Sequence, residues 1–288
     1  MGVPVRPADG SRISNRVRLG AIWLLLAVAV VAAIAVSASR ASRPKPTARQ
    51  LRQQLLAELR PIRLQNCTMK RFGSANDGGY LMCANLLGNV ESGYSYGIGP
   101  ADDWGCEISR THAITVHQYD CFDPGRPACP GGRTTFHDEC IGPTADTLES
   151  RVFDTLTRQI AKNGDAAKTL VVKIDVEGAE LNSLLTTSDR VLNRIDQLAM
   201  EVHGTDRRYL DLIRKLKRTF HVVHLHFNNQ ACAARFDPLP AWAYQVLLVN
   251  KRIGVPDRSK AAVTLPHPLD APDYAQGHDC QLVGTGEP

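Results

Sequence analysis

The sequence predicts an α/β protein with a mainly parallel sheet. Three observations carry that prediction. Between about residue 92 and residue 250, short β-rich runs alternate with helical patterns, the order that feeds parallel strands through helical crossovers. Several of those runs end in glycines, carboxylates or imidazoles, and open sheets of this kind bind ligands at the carboxyl ends of their strands. The chain is 288 residues long, 43% hydrophobic and 22% charged. That composition is enough for a sizeable core and excludes a collagenous, coiled-coil or wholly disordered chain.

Taken from the N-terminus, residues 1–18 form a basic tail. Residues 1–60 carry ten basic side chains against Asp9 and Glu58, a net +8, whereas residues 61–288 sum to −3. The basic character therefore belongs to the N-terminal arm, and the body lacks the positive face expected of a nucleic-acid binder. Leu19 to Val36 is an 18-residue run without a charge, flanked by arginines and carrying Trp23 near one end. As a helix such a run just crosses a hydrocarbon core, so residues 19–37 are expected to be a transmembrane signal-anchor. Val36-Ser37-Ala38 also offers a small-residue cleavage site, and cleavage there would make the protein secreted. Residues 38–65 read as a stem, in which Leu51, Leu55 and Leu59 repeat at four-residue spacing before Pro61.

The body is expected over residues 66–252, with a Pro-rich extension over 253–288 that wraps or is disordered. Strands are expected at Gly93–Ile98, Ala113–Asp120, Thr169–Asp175, Arg194–His203, His221–Phe227 and Ala243–Asn250. Helices are expected at Thr147–Asn163, Gly178–Ser188 and Asp206–Thr219. In the first of these, Leu148, Val152, Leu156 and Ile160 recur every fourth residue before Gly164. Eight cysteines, with Cys121, Cys129 and Cys140 clustered and no zinc-type CxxC pair, suit disulfides in an oxidising lumen. Asn66-Cys67-Thr68 is a glycosylation sequon. The expected layout is a type II protein with its body in the Golgi or ER lumen.

The strand ends carry the chemistry. Gly97 and Gly99 form a G-x-G turn whose lack of Cβ atoms lets backbone approach a nucleotide-like ligand. About twenty residues on, Asp120 ends the next strand, where a carboxylate can accept both hydroxyls of a ribose; Asp123 is the alternative bearer of that role. Val172-Lys173-Ile174-Asp175-Val176-Glu177-Gly178-Ala179-Glu180 runs an apolar strand into three acids. Asp175 and Glu177 have the chemistry to orient a hydroxyl, bind a divalent cation or act as a base. Period-two spacing puts Glu201 and His203 on one face of the following strand.

The segment Lys173 to Glu180 closely resembles the K-I-D-V-E-G-A-E signature of FkbM-type methyltransferases. Tyr94 to Gly99 followed by Asp103-Trp104, Arg71-Phe72-Gly73, Asp77-Gly78-Gly79-Tyr80 with Cys83, and Glu201-Val202-His203 resemble the membrane-anchored methyltransferase-like protein 24 group. This resemblance implies a Rossmann-like class I methyltransferase domain that uses S-adenosylmethionine to O-methylate a hydroxyl of a glycan, lipid or small metabolite. It implies that Gly97 and Gly99 line the cofactor, that Asp120 holds its ribose and that Asp175 sits beside the transferred methyl. His203 is the first choice of base and Asp175 the second, with Glu201 beside them; no metal ligand is assigned. Gln245 stands where relatives often carry an acid. Two other readings share this layout, a type II Golgi glycosyltransferase and a catalytically inactive methyltransferase fold serving as a binding module.

Overall fold

The computed structural model describes residues 2, 45–259 and 263–280. The expected anchor at 19–37 lies outside them, and no helix among the described residues is long and apolar enough to cross a membrane. One compact unit begins at Thr47. Its first element is α1 (Ala48–Leu59), started by a reciprocal capping box between Thr47 and Gln50. Next come β1 (Met69–Gly73) and β2 (Gly79–Cys83), then β3 (Ser92–Tyr96), α2 (Asp103–His112), β4 (Thr115–Tyr119) and β5 (Arg133–His137). The middle of the chain holds β6 (Cys140–Ile141), β7 (Asp146–Leu148), β8 (Arg151–Asp154), α3 (Leu156–Lys162), β9 (Leu170–Ile174), α4 (Ala179–Thr186) and α5 (Asp189–Leu192). The last elements are β10 (Ile195–His203), α6 (Arg207–Thr219), β11 (Phe220–Phe227) and β12 (Ala243–Asn250).

Seven strands form the main sheet in the order β11-β12-β10-β9-β3-β4-β5. All neighbours pair in parallel except β12, which runs antiparallel to both β10 and β11. The fold is thus mixed α/β with a largely parallel sheet, compatible with a Rossmann-like architecture, as the alternating runs predict. Strands β3, β9 and β12 are buried on both faces, and β9 accordingly reads as the nearly unbroken apolar run Leu-Val-Val-Lys-Ile. Leu170, Val172 and Ile174 enter one core with Leu55, Leu59, Leu210 and Leu216. Val171 enters the other with Phe72, Tyr80, Trp104 and Ile108. That split follows from the period-two alternation of strand side chains.

Several expectations are corrected here. The helix expected over Thr147–Asn163 is confined to α3, and its first half is the β7–β8 hairpin. Glu149 and Ser150 turn that hairpin with positive φ of 50° and 66°. Leu148 is 61% and Val152 43% exposed, so the first half of the expected buried stripe points into solvent, while Leu156 and Ile160 in α3 are buried. The helical half of the expected stem belongs to the body: Leu55 and Leu59 are fully buried, and Glu58 pairs with Arg214 and Lys217 of α6. The body therefore begins at Thr47 rather than at residue 66.

The extension after residue 252 wraps the sheet over its described length. Asp270 meets His224 Nε2 at 2.7 Å, Gln245 Nε2 donates to Asp273 Oδ1 at 2.9 Å, and Cys280 is bridged to Cys232. The other bridges are Cys67–Cys83, Cys106–Cys129 and Cys121–Cys140, so all eight cysteines are paired. Four disulfides suit an oxidising lumenal or secreted environment. In the sequon, Asn66 Nδ2 donates to Ile253 O at 2.8 Å and Oδ1 accepts from Val255 N at 2.9 Å, so the amide that a glycan needs is committed to the backbone just after β12.

Candidate functional site

The chain leaves β3 toward β4 and β5 on one side, then returns to β9 and β10 on the other. The carboxyl ends of β3 and β9 are therefore the topological switch point, where the two diverging connections leave a crevice. A cleft of about 580 Å³ lies there. It is lined by Gly97 to Asp103 after β3, Asp120 to Phe122 after β4, and Asp175 to Glu177 after β9. Ser74, Asp77 and Gly78, from the β1–β2 turn, roof one end.

Four expected residues, Gly97, Gly99, Asp120 and Asp175, line this cleft together. Gly97 (φ 68°) sits so close to β9 that a Cβ would overlap the carbonyl oxygen of Asp175, so glycine is required on both conformational and steric grounds. Gly99 also has positive φ (54°), but a Cβ there would meet nothing within 4 Å. Asp120 Oδ2 accepts from Gly99 N at 2.9 Å, and Oδ1 accepts from Phe122 N at 2.8 Å and Asp123 N at 2.9 Å. Burial pushes the Asp120 carboxyl up, but these backbone donors outweigh it and hold the group below its usual range. Asp123 does not line the cleft; its Oδ1 closes its own turn by accepting from Gly125 N at 2.8 Å.

Glu201 and His203 stand behind Asp175 rather than on the cleft wall. His203 Nε2 lies 3.8 Å from Asp175 Oδ1 and 3.6 Å from Glu177 Oε2, and its Nδ1 is 3.5 Å from Glu180 Oε1. Burial works against a proton on His203, but Glu180, Glu201 and Asp175 outweigh it and raise the imidazole pKa. Glu201 moves up as well, chiefly through burial and then through the charge of Asp175, although Asn228 Nδ2 donates to its Oε1 at 2.8 Å. Asp273, brought from the C-terminal extension, is pushed up to about 7 by burial and by Asp77. The region behind the cleft is therefore rich in carboxylates gathered around the His203 imidazole. A carboxylate reaches the end of β12 through Gln245 even though β12 itself carries none there.

Other residues shape the site without having been singled out. Lys173, 4% exposed, donates from Nζ to Tyr96 O at 3.2 Å and Gly97 O at 2.7 Å, tying the glycine turn to β9. Tyr80, from β2, donates its hydroxyl to Asp175 Oδ2 at 2.8 Å. Asp102 caps α2 by accepting from Gly105 N at 2.8 Å, and also accepts from Gln118 Nε2 at 2.9 Å. Glu180 is fully buried and accepts from the backbone N–H groups of Gly178 and His203 at 2.8 and 2.9 Å. The quoted motifs contain several of these residues, but spacing in the chain does not say which backbone atoms they meet.

No family model matches the chain, and no curated protein matches it.

Proposed function

We propose that the chain is an S-adenosylmethionine-dependent methyltransferase of the FkbM type, transferring a methyl group to a hydroxyl of a glycan, lipid or small metabolite. We further propose that residues 19–37 anchor it with its body in the lumen. The observation that carries the activity is the cleft at the switch point between β3 and β9, where Gly97, Gly99, Asp120 and Asp175 converge. Its volume suits a nucleoside-sized ligand, and Phe122, Ile141 and Phe153 give it apolar walls for a base. Asp120 stands on the cleft wall beside the glycine turn, where its carboxylate can meet a ribose hydroxyl. Asp175 and Glu177 give the cleft a negative edge suited to a sulfonium.

The cofactor, when bound, supplies an already activated methyl group, so the protein's work is positioning and proton removal. Tyr80 and Lys173 fix Asp175: the tyrosine hydroxyl holds Oδ2 at 2.8 Å and the ammonium stands 3.6 Å from the same oxygen. Oδ1 is left toward His203 and the cleft edge. The acceptor hydroxyl's proton passes to Asp175, which lines the cleft, and His203 behind it steadies the carboxylate. Glu177, at the mouth, orients the incoming acceptor.

The test is a calorimetric titration of the full-length chain, produced in an oxidising host, with S-adenosylmethionine, run alongside Asp120→Ala. Micromolar binding that Asp120→Ala abolishes supports the reading and justifies an acceptor screen. A folded wild-type protein that binds none of it removes the reading. The inactive-fold alternative draws on one observation, that Asp120 already serves three backbone donors, and the same titration separates the two.

A further inference from the structure

His203 ends β10 with its side chain 6% exposed. Its Nδ1 is buried with no hydrogen-bond partner among the described residues, 3.5 Å from Glu180 Oε1. Its Nε2 is aimed at the gap between Asp175 Oδ1, 3.8 Å away, and Glu177 Oε2, 3.6 Å away. One ligand atom from each of Asp175, Glu177 and His203 can be chosen so that all three lie within 4.8 Å of one another. Adjacent donors around a small divalent ion stand about 3.0–3.4 Å apart when each bond is about 2.1 Å. The two spacings from His203 Nε2 exceed that by a few tenths of an ångström, and the carboxylates of Asp175 and Glu177 stand within 4.8 Å of one another, a closure that the exposed Glu177 side chain can make.

The supporting contacts point the same way. Glu180 is locked by two backbone N–H groups with its Oε1 3.5 Å from Nδ1, a few tenths of an ångström from the hydrogen bond by which a carboxylate sets the tautomer of a metal-bound histidine and leaves Nε2 free to coordinate. Tyr80 occupies Asp175 Oδ2 at 2.8 Å, so Oδ1 is the atom turned to His203. Asp77, Asp175 and Glu201 also come within 4.8 Å of one another. That group has no nitrogen donor, and Glu201 Oε1 is already taken by Asn228.

We propose that Asp175 Oδ1, Glu177 Oε2 and His203 Nε2 form a three-ligand site for a divalent cation of the Mn²⁺ or Zn²⁺ class, with its remaining coordination positions open to the cleft. One imidazole and two carboxylates suit these borderline ions better than Ca²⁺ or Mg²⁺, which prefer oxygen alone. The site stands on ligand geometry; its use rests on the methyl-transfer reading, in which an ion held there would take over from Asp175 the activation of a hydroxyl bound at an open position, the proton leaving to solvent at the cleft.

The experiment titrates the full-length chain with Mn²⁺, followed by the electron-paramagnetic signal of the free ion, and with Zn²⁺ by calorimetry, both without S-adenosylmethionine. The expected result is one ion per chain, a loss of affinity of at least ten-fold in Glu177→Gln, and a nitrogen coupling on bound Mn²⁺ that disappears in His203→Gln. Glu177 is 84% exposed, so its variant folds as the parent does and keeps the test decisive. Failure of both ions to bind stoichiometrically, or affinities unchanged in Glu177→Gln, overturns the proposal. Binding lost in Asp77→Asn but not in Glu177→Gln also overturns it and moves the ion to the other acidic group. Ion binding without S-adenosylmethionine binding defeats only the methyltransferase reading, and the reverse defeats only the ion site.

Discussion

Lys173 and Gly97 are joined across the switch point by a 2.7 Å hydrogen bond from the lysine Nζ to the glycine carbonyl. The same ammonium reaches Tyr96 O at 3.2 Å. A cation buried at the root of the cleft thus holds the end of β3 against the end of β9, and sets where the glycine turn stands relative to Asp175.

Removing that cation is expected to loosen the turn. Lys173→Met keeps much of the aliphatic stem but leaves two backbone carbonyls without their charged donor, at a cost of about 2–3 kcal/mol. Chemical denaturation should show this as a lower midpoint with an unchanged slope. On the methyltransferase reading proposed above, S-adenosylmethionine affinity should fall together with stability. An unchanged midpoint would mean that Lys173 does not clamp the turn.

The two glycines of the turn should respond differently to alanine. At Gly97 a Cβ overlaps the Asp175 carbonyl, so Gly97→Ala must push β3 and β9 apart, costing several kcal/mol and the cleft geometry. At Gly99 the space is open and only the left-handed backbone resists, so Gly99→Ala costs about 1–2 kcal/mol. Parallel thermal melts of the two variants test the order, and equal losses would contradict it.

Acid sensitivity should centre on His117. Burial lowers its pKa from 6.5 to about 4, against the opposing pull of Asp165 3.4 Å away. Below pH 6.5 the unfolded chain therefore binds a proton that the folded chain resists. The resulting stability is fully present above pH 6.5 and drains away as pH falls toward 4, by about 3 kcal/mol in total. His117→Gln should flatten the stability profile across this window. A profile as steep as the wild type's would place the acid sensitivity elsewhere.

The Cys232–Cys280 bridge closes a separation of 48 residues, for which chain entropy gives about 4 kcal/mol. The double variant Cys232→Ser/Cys280→Ser avoids a stray thiol. It is expected to lose stability of that order and to expose the amides after residue 263 to faster hydrogen exchange. Exchange at the parent's rate would show that Asp270 and Asp273 hold the wrap without the bridge.

The chain alone determined six of the main sheet's seven strands, β5 being the one it did not announce, and the place to look. All six strands expected between residues 92 and 250 form within a few residues of their expected bounds, because strands buried on both faces leave apolar runs that no other element would bury as well. Gly97, Gly99, Asp120 and Asp175 meet in one cleft because strand ends in such a sheet share one edge. Tertiary structure decided the rest. Leu148 and Val152 repeat at helical spacing, but spacing is silent on which side of a residue the core lies, and here the core lies away from them. Asp273 reaches Gln245 across 28 residues of chain, and Tyr80 reaches Asp175 across 95. Such contacts arise only once the sheet has packed, when a buried carboxylate must find a donor wherever the fold has carried one.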